Sequence, residues 1–503
     1  MVGRRVRLFL SASVPLAILS APAAGSDPSV AGSIYPADLV PAMQAAAKRT
    51  RSGDVSPVSV AAPDTELAEA LGPAGYILAD IGAAENFRAL VRNAVGRHPA
   101  YHRQVTTLDQ SRAGSRRAKS ALYPQLSTSL SADYSLARNF DDDTDNVVES
   151  LRPNDQYSAG ISASQLVFDG GATFQRIKSA RARHSEFKNA ISTRINNLSI
   201  AALTAYHDLL THQALLALGD AYIKRHQKIL EDVKERERLG AGSRADVMQA
   251  TARLAAASAR VAEIRESERM AEIRYEEFFS EKPMSLARPS FEALTVNTRD
   301  AASTAALRHS PEIAAATARA DASRADYKAA KGARLPEVRV NVDAVKYDVF
   351  NGGDDYDVRA GVNLNYKIFG GGARAADIAE AASLARQDKY GEEQVRQEVA
   401  RDAAIAFERL EGAKDRLNSL ETAVIAHNET RELVLERYRV ARGDLIDVLQ
   451  AENDYFEAGV AYLTGLANRD MAIYALMEHT GDLLRFFSPS DDYAGDVSEA
   501  VDG

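Results

Sequence analysis

Two periodicities alternate along the chain. From Ala84 to Leu122 apolar residues recur at helical spacing, interrupted at His98-Pro99. Pro124 then closes the run, because a residue ahead of proline is pushed out of the helical region. Beyond it the period drops to two. Leu126, Thr128, Leu130, Ala132, Tyr134 and Leu136 alternate with Ser127, Ser129, Ser131, Asp133 and Ser135. This predicts a strand with one apolar and one polar face. A second alternating stretch runs from Tyr157 to Phe168. A proline-free helical run over 172–239 follows, opened by Phe168-Asp169-Gly170-Gly171 and closed by Gly240-Ala241-Gly242. Ile191, Ile195, Leu198, Ala202, Tyr206 and Leu209 mark a coiled-coil seam along it. At about 1.5 Å per residue such a helix is ~100 Å long. No single core is that wide, so the helix must lie against partners of its own length. A return helix is predicted from about Arg244 to Phe279, then an irregular connector around Pro283 and Pro289.

The whole order then recurs, and the repeat can be measured. Pro99 to Pro311 and Pro124 to Pro336 are both separations of 212 residues. Phe168 to Phe369, Gly242 to Gly443 and Asp246 to Asp447 are separations of 201. The second copy therefore lacks 11 residues between Pro336 and Phe369, in its strand hairpin, where indels are tolerated. Landmarks conserved at both ends of each half predict an internal duplication.

The strands of the second copy are the cleaner pair. Tyr356, Val358, Ala360, Val362, Leu364, Tyr366 and Ile368 share one face; Asp357, Arg359, Gly361, Asn363, Asn365 and Lys367 share the other. Val338, Val340 and Val342 oppose Arg339, Asn341 and Asp343 in the same way. About 9–11 residues is the length of a membrane-crossing strand, with lipid on one face and water on the other. A soluble sandwich with one solvated face is the alternative, but four strands are too few for it. They are also too few to close a barrel, and an open sheet edge in lipid leaves backbone groups unpaired. The chain is thus expected to share a barrel with copies of itself. Their number does not follow from the residues.

Composition narrows the picture. A net charge of −9 argues against nucleic acid as a partner. With no cysteine there is no disulfide, thiolate metal site or lipidated cysteine. Arg4, Arg5 and Arg7, the apolar run Leu8–Leu19 and Ala21-Pro22-Ala23 read as an export signal over 1–23. Residues 24–84 read as a disordered leader, 85–283 as the first repeat and 284–300 as a connector. Residues 301–484 read as the second repeat and 485–503 as a disordered tail.

At this point the chain resembles the TolC-type outer-membrane channel family, the exit ducts of efflux pumps and type I secretion systems. The likeness covers about 85–484. It rests on the duplicated helix–strand–strand–helix order and on Gln165-Leu166-Val167-Phe168-Asp169-Gly170-Gly171 with its counterpart Phe369-Gly370-Gly371-Gly372. It rests also on Arg437-Tyr438 leading to Leu445-Ile446-Asp447-Val448-Leu449-Gln450-Ala451-Glu452-Asn453, which is most similar to secretion-type members. The resemblance implies an α+β membrane protein: a homotrimer with a long α-helical coiled-coil barrel and a 12-stranded β-barrel in outer-membrane lipid, four strands per chain. It implies a passive duct of the Gram-negative outer membrane with a large periplasmic part. A periplasmic adaptor and an inner-membrane ABC or RND transporter would dock at its periplasmic end.

The same resemblance implies site residues. Asp447 would line the periplasmic constriction, able to select or bind cations as a ring. Gln450 stands where a second acidic residue is usual. Tyr438 and Asp246 would link neighbouring helices and hold the entrance shut, with Arg442 standing in for a basic partner that falls at Gly443. Gly240 and Gly242, with Gly443, would form adaptor-facing turns. Ala441 replaces the glycine expected opposite Gly240, so the second turn is expected to use Gly443 instead. From position alone Asp246 and Asp447 are also plausible helix caps, and Tyr438 could be seam packing. The corners Gly170-Gly171 and Gly370-Gly371 lack the Lys-Ser/Thr of a phosphate cradle and read as strand-to-helix corners. The acidic stretch 141–149 reads as an external loop rather than a calcium site.

No nucleophile elbow, zinc signature or carboxylate pair in an apolar pocket is present, so neither an enzyme nor a cofactor is expected. The rival reading is a soluble periplasmic coiled-coil scaffold without channel activity.

Overall fold

The long proline-free runs form single uninterrupted helices. The computed structural model describes residues 65–79, 81–82, 84–137, 154–283, 286–289, 296–350 and 354–487. All of these fall within one unit, Val58–Gly503. The expected signal segment and the acidic stretch 141–149 lie outside the described residues.

Two seven-residue helices come first, α1 (Thr65–Leu71) and α2 (Pro73–Ala79). The first repeat continues with α3 (Ala84–Arg97), α4 (Pro99–Ser120), β1 (Gln125–Tyr134), β2 (Asp155–Phe168), α5 (Ala172–Arg238) and α6 (Arg244–Phe279). The second supplies α7 (Arg299–His309), α8 (Pro311–Gly332), β3 (Glu337–Tyr347), β4 (Tyr356–Asn365), α9 (Ala373–Arg439) and α10 (Leu445–Thr480). A short α11 (Asp482–Phe487) ends it.

The duplication is equal to the residue in three of its four helix pairs. α5 and α9 each have 67 residues, α6 and α10 each 36, α4 and α8 each 22. α4 and α8 both open on proline, whose missing amide costs nothing in a first turn. His98 caps the first through Nδ1 to the Ala100 amide at 3.1 Å, and Ser310 caps the second.

The four long strands make one antiparallel sheet in the order β1-β2-β3-β4. Register places Leu126 opposite Ala163, Ala163 opposite Val342 and Val342 opposite Ala360, so one face is apolar across the sheet. On the other face Ser127 bonds Ser162 and Ser131 bonds Ser158, both at 2.7 Å. Among the described residues that apolar face stays largely uncovered: Leu126 is 75 % exposed and Val362 69 %.

The main core lies where α3, α10 and α11 meet the middle of α5. Phe87 meets Tyr206 edge-on at 4.8 Å, and Tyr474, Leu203 and Leu209 are fully buried. The connector is fastened there. Arg288 is buried and donates to both Asp470 oxygens, at 2.9 and 3.1 Å. Its backbone pairs in parallel with Ile81–Gly82.

Three expectations need correction. The leader is not disordered to residue 84, since 65–79 are helical and Leu67, Leu71 and Ala74 are buried. These helices are too short to show a period in sequence; docking holds them. The tail begins later than 485, because α11 runs to the buried Phe487. The fourth strand stops at Asn365 although alternation continues to Ile368. The chain there is already turning into the glycine corner.

Candidate functional site

The end of the helices farthest from the sheet holds most of the singled-out residues. α5 and α9 both close on the same turn. In the first, the Ala241 amide reaches the Arg236 carbonyl at 2.8 Å and the Gly240 amide reaches Glu237 at 2.9 Å. In the second, Arg442 reaches Arg437 at 2.9 Å and Ala441 reaches Tyr438 at 3.1 Å. Both are six-residue caps needing one left-handed residue. Gly240 supplies it with φ +75, and Ala441 supplies it with φ +56. The turn is therefore not rebuilt around Gly443. Gly242 and Gly443 occupy equivalent places with ordinary φ. Arg442 is exposed and serves the turn through its backbone amide.

The two first-turn carboxylates differ in use. Asp246 closes a capping box: its Oδ2 accepts the Ser243 amide and Ser243 Oγ accepts the Asp246 amide, both at 3.1 Å. At the equivalent start of α10 the cap is Asp444, which makes no side-chain cap bond. Asp447 is exposed, and among the described residues no hydrogen bond or ion pair engages its carboxylate. Gln450 follows on the same face and donates to Asp454 at 2.7 Å. Asp454 and the exposed Glu457 continue that face, so α10 begins with an acidic stripe on its open side.

Tyr438 is engaged by a residue that the sequence did not single out. The Arg236 guanidinium lies 4.3 Å from its ring centre and donates to the carbonyls of Tyr438 and Arg439 at 3.1 and 3.3 Å. These carbonyls belong to the last turn of α9, whose oxygens lack helical partners. Among the described residues of one chain, no hydrogen bond joins Asp246 to Tyr438. Arg236 and Tyr438 border a cleft of about 230 Å³ with Asp232, Glu235, Arg439 and Leu435. Behind it Ile229, Val233, Leu435, Leu445, Val448 and Leu449 bury one another and join α5, α9 and α10.

One helical turn or two further from the tip, a charged cluster crosses the same seam. Glu452 is buried and accepts from Arg225 of α5 at 2.8 Å, with Arg431 of α9 at 3.8 Å. Arg431 also stacks on Tyr455, 3.9 Å from its ring centre. Burial lowers the His226 pKa to about 4, aided by the Arg253 charge. Arg225 and Glu452 are 227 residues apart in sequence, which is why no local pattern announces their pairing.

At the sheet end, left-handed glycines turn each strand into its long helix. They are Gly170 (φ +68) and Gly171 (φ +78), then Gly371 (φ +64) and Gly372 (φ +85). Gly370 lies in the same corner, where its carbonyl accepts the Ala373 amide at 3.3 Å, without a left-handed φ. It stands where the first repeat has Asp169, whose Oδ2 accepts the Thr173 amide at 2.7 Å. Gly170 has a second constraint: a Cβ there would lie 2.2 Å from the Gly332 carbonyl oxygen. Among the described residues no group of acidic or histidine side chains is placed to hold a metal, and no helix is long and apolar enough to cross a membrane.

Residues 90–275 and 302–482 match the family model described as outer membrane efflux protein. The chain is 26% identical over 403 residues to the outer membrane efflux protein BepC of Brucella suis, covering 78% of this chain and 86% of that one. Its fold is shared with solved structures of low identity. The outer membrane protein VceC of Vibrio cholerae superposes with a TM-score of 0.69 at 17% identity, covering 79% of this chain and 96% of the other. The CmeC outer membrane channel of Campylobacter jejuni gives 0.71 at 15%, covering 82% and 89%.

Proposed function

The chain belongs to the outer membrane efflux protein family, and from that premise we propose that three copies form a passive exit duct. A periplasmic adaptor and an inner-membrane transporter of the ABC or RND type open it from below. Its place is the Gram-negative outer membrane, with a large periplasmic part.

The observation that carries the reading is the sheet: four strands, open at β1 and β4, with an unpacked apolar face. In lipid those open edges must be paired. The duplication indicates what pairs them. Within the chain the repeats meet through β2 on β3, α8 on α5 and α10 on α5. Exchanging the repeats gives the equivalent pairings β4 on β1, α4 on α9 and α6 on α9. Among the described residues none of these is made to a comparable extent. All three are available to a second copy placed head-to-tail, and a head-to-tail contact that closes makes a ring. Twelve strands from three copies satisfy both the family architecture and the edges.

At the helical end, Asp447 from three copies would form an acidic ring, with Gln450 leaving a second ring uncharged. Tyr438, held by Arg236, would keep the second-repeat helices drawn in, while Asp246 and Arg442 shape the turns. Gly240, Gly242 and Gly443 lie on the turns offered to the adaptor.

The test is direct. Purified in detergent, the protein should have the mass of three chains and conduct ions across a planar bilayer. A water-soluble monomer without conductance would overturn the proposal and return the scaffold reading.

A further inference from the structure

The segment ahead of the family-matched residues crosses the seam between the two repeats. α1 lies against α9 and α2 against α5. Leu67 and Leu71 are each 1 % exposed, and with Ala70 and Ala74 they enter a core of Leu215 and Leu218 from α5, Leu417 and Val424 from α9, and Tyr455 and Phe456 from α10. The Tyr455 hydroxyl donates to the Ala70 carbonyl at 2.6 Å, and the same ring carries Arg431 of the charged cluster. The pair is folded tightly on itself. Gly72 turns with φ +57, and a Cβ on Gly75 would lie 2.4 Å from the Ala68 oxygen. Two seven-residue helices have no stability of their own; this docking is what orders them. The family model begins at residue 90, after both of them.

We propose that residues 65–79 are a clip that fastens α9 and α10 of the second repeat to α5 of the first, and so limits how far the shafts part at the turn end. The consequence for gating rests on the duct reading; the fastening does not. Below the clip, α5 continues from Leu218 to Arg238, ~30 Å at 1.5 Å per residue. α10 continues from Tyr455 to Leu445, ~15 Å. Opening that needs α9 and α10 to swing from α5 is confined to those lengths while the clip is seated, and reaches higher when it is released.

The experiment compares the detergent-solubilised full chain with a Leu67→Asp/Leu71→Asp variant by hydrogen exchange. With the clip unseated, amides of 229–238 and 435–449 should exchange roughly tenfold faster, while those of 155–168 in the sheet are unmoved. Closed-state leak across a bilayer should rise in parallel. Unchanged exchange at the turn end, with 65–79 itself exchanging freely, would overturn the clip. Should the aspartates prevent assembly, Leu67→Ala/Leu71→Ala is judged by the same two segments. A wild-type protein that does not conduct would sink the duct reading, while the exchange comparison would still decide the clip.

Discussion

Ala441 holds a left-handed conformation that its counterpart in the first repeat gives to Gly240. A Cβ in that region costs about 1–2 kcal/mol. Ala441→Gly should therefore stabilise the second turn by about 1 kcal/mol, read as a higher melting temperature in detergent, and Gly240→Ala should lower it. A second prediction concerns Tyr438. Its ring takes the Arg236 guanidinium, so Tyr438→Phe should leave leak conductance unchanged. Arg236→Ala, which loses the stacking and two hydrogen bonds, should weaken the α5–α9 junction by about 2 kcal/mol and raise the leak. A leaky Tyr438→Phe channel would give the role back to the hydroxyl. Asp447, Tyr438 and the turn glycines were singled out through the family resemblance, and the structure puts them at one end of the helices, with Ala441 rather than Gly443 in the left-handed position. Arg236 was not, since a basic residue in a last helical turn is expected anyway, and its partner is 202 residues away.

Helix and strand lengths were legible because each period persists for many residues, and because proline and glycine mark the ends. The 67-residue helices each start one residue after a corner glycine and end two residues before Gly240 and four before Gly443. What was misread, 65–79, consists of helices that exist only by contact with others. The joint between α10 and α8 gives the element-scale prediction. Glu478 lies with His479, Glu312 and Asn196 around a small cavity between these helices. Burial raises its pKa to about 7, and the Glu312 charge adds to that. The folded state thus holds a proton that the unfolded chain releases near 4.5. The stabilisation is complete below that value and is lost as pH rises to about 7, amounting to roughly 2 kcal/mol after solvent screening. The melting temperature of the wild type should fall from pH 4.5 to 7 more steeply than that of Glu478→Gln. Parallel slopes for the two proteins would mean that Glu478 titrates normally.

At the scale of the whole molecule, the duplication matters more than any motif. The three main contacts between repeats inside the chain have twins that it does not make to a comparable extent among the described residues, and that asymmetry supports the proposed ring of copies. The expectation of copies came from strand count alone; their number came only from family likeness. Ring closure also decides what Asp447 does. In one chain it is a single exposed carboxylate without a partner among the described residues. In the proposed trimer, three such groups around a shared axis would add their fields where cargo and ions pass. With three charges within about 10 Å of a divalent ion in a water-filled entrance, Coulomb attraction screened by 0.1 M salt gives roughly a fivefold gain in occupancy. Asp447→Asn keeps the shape and removes the charge. It should weaken divalent block of single-channel current by about that factor, and the difference should shrink as salt is raised. Gln450→Asp restores a second ring one turn away and should strengthen block in the same assay. Block indifferent to both substitutions would place these residues away from the conduction path, and the acidic stripe on α10 would then be no more than a solvated helix face.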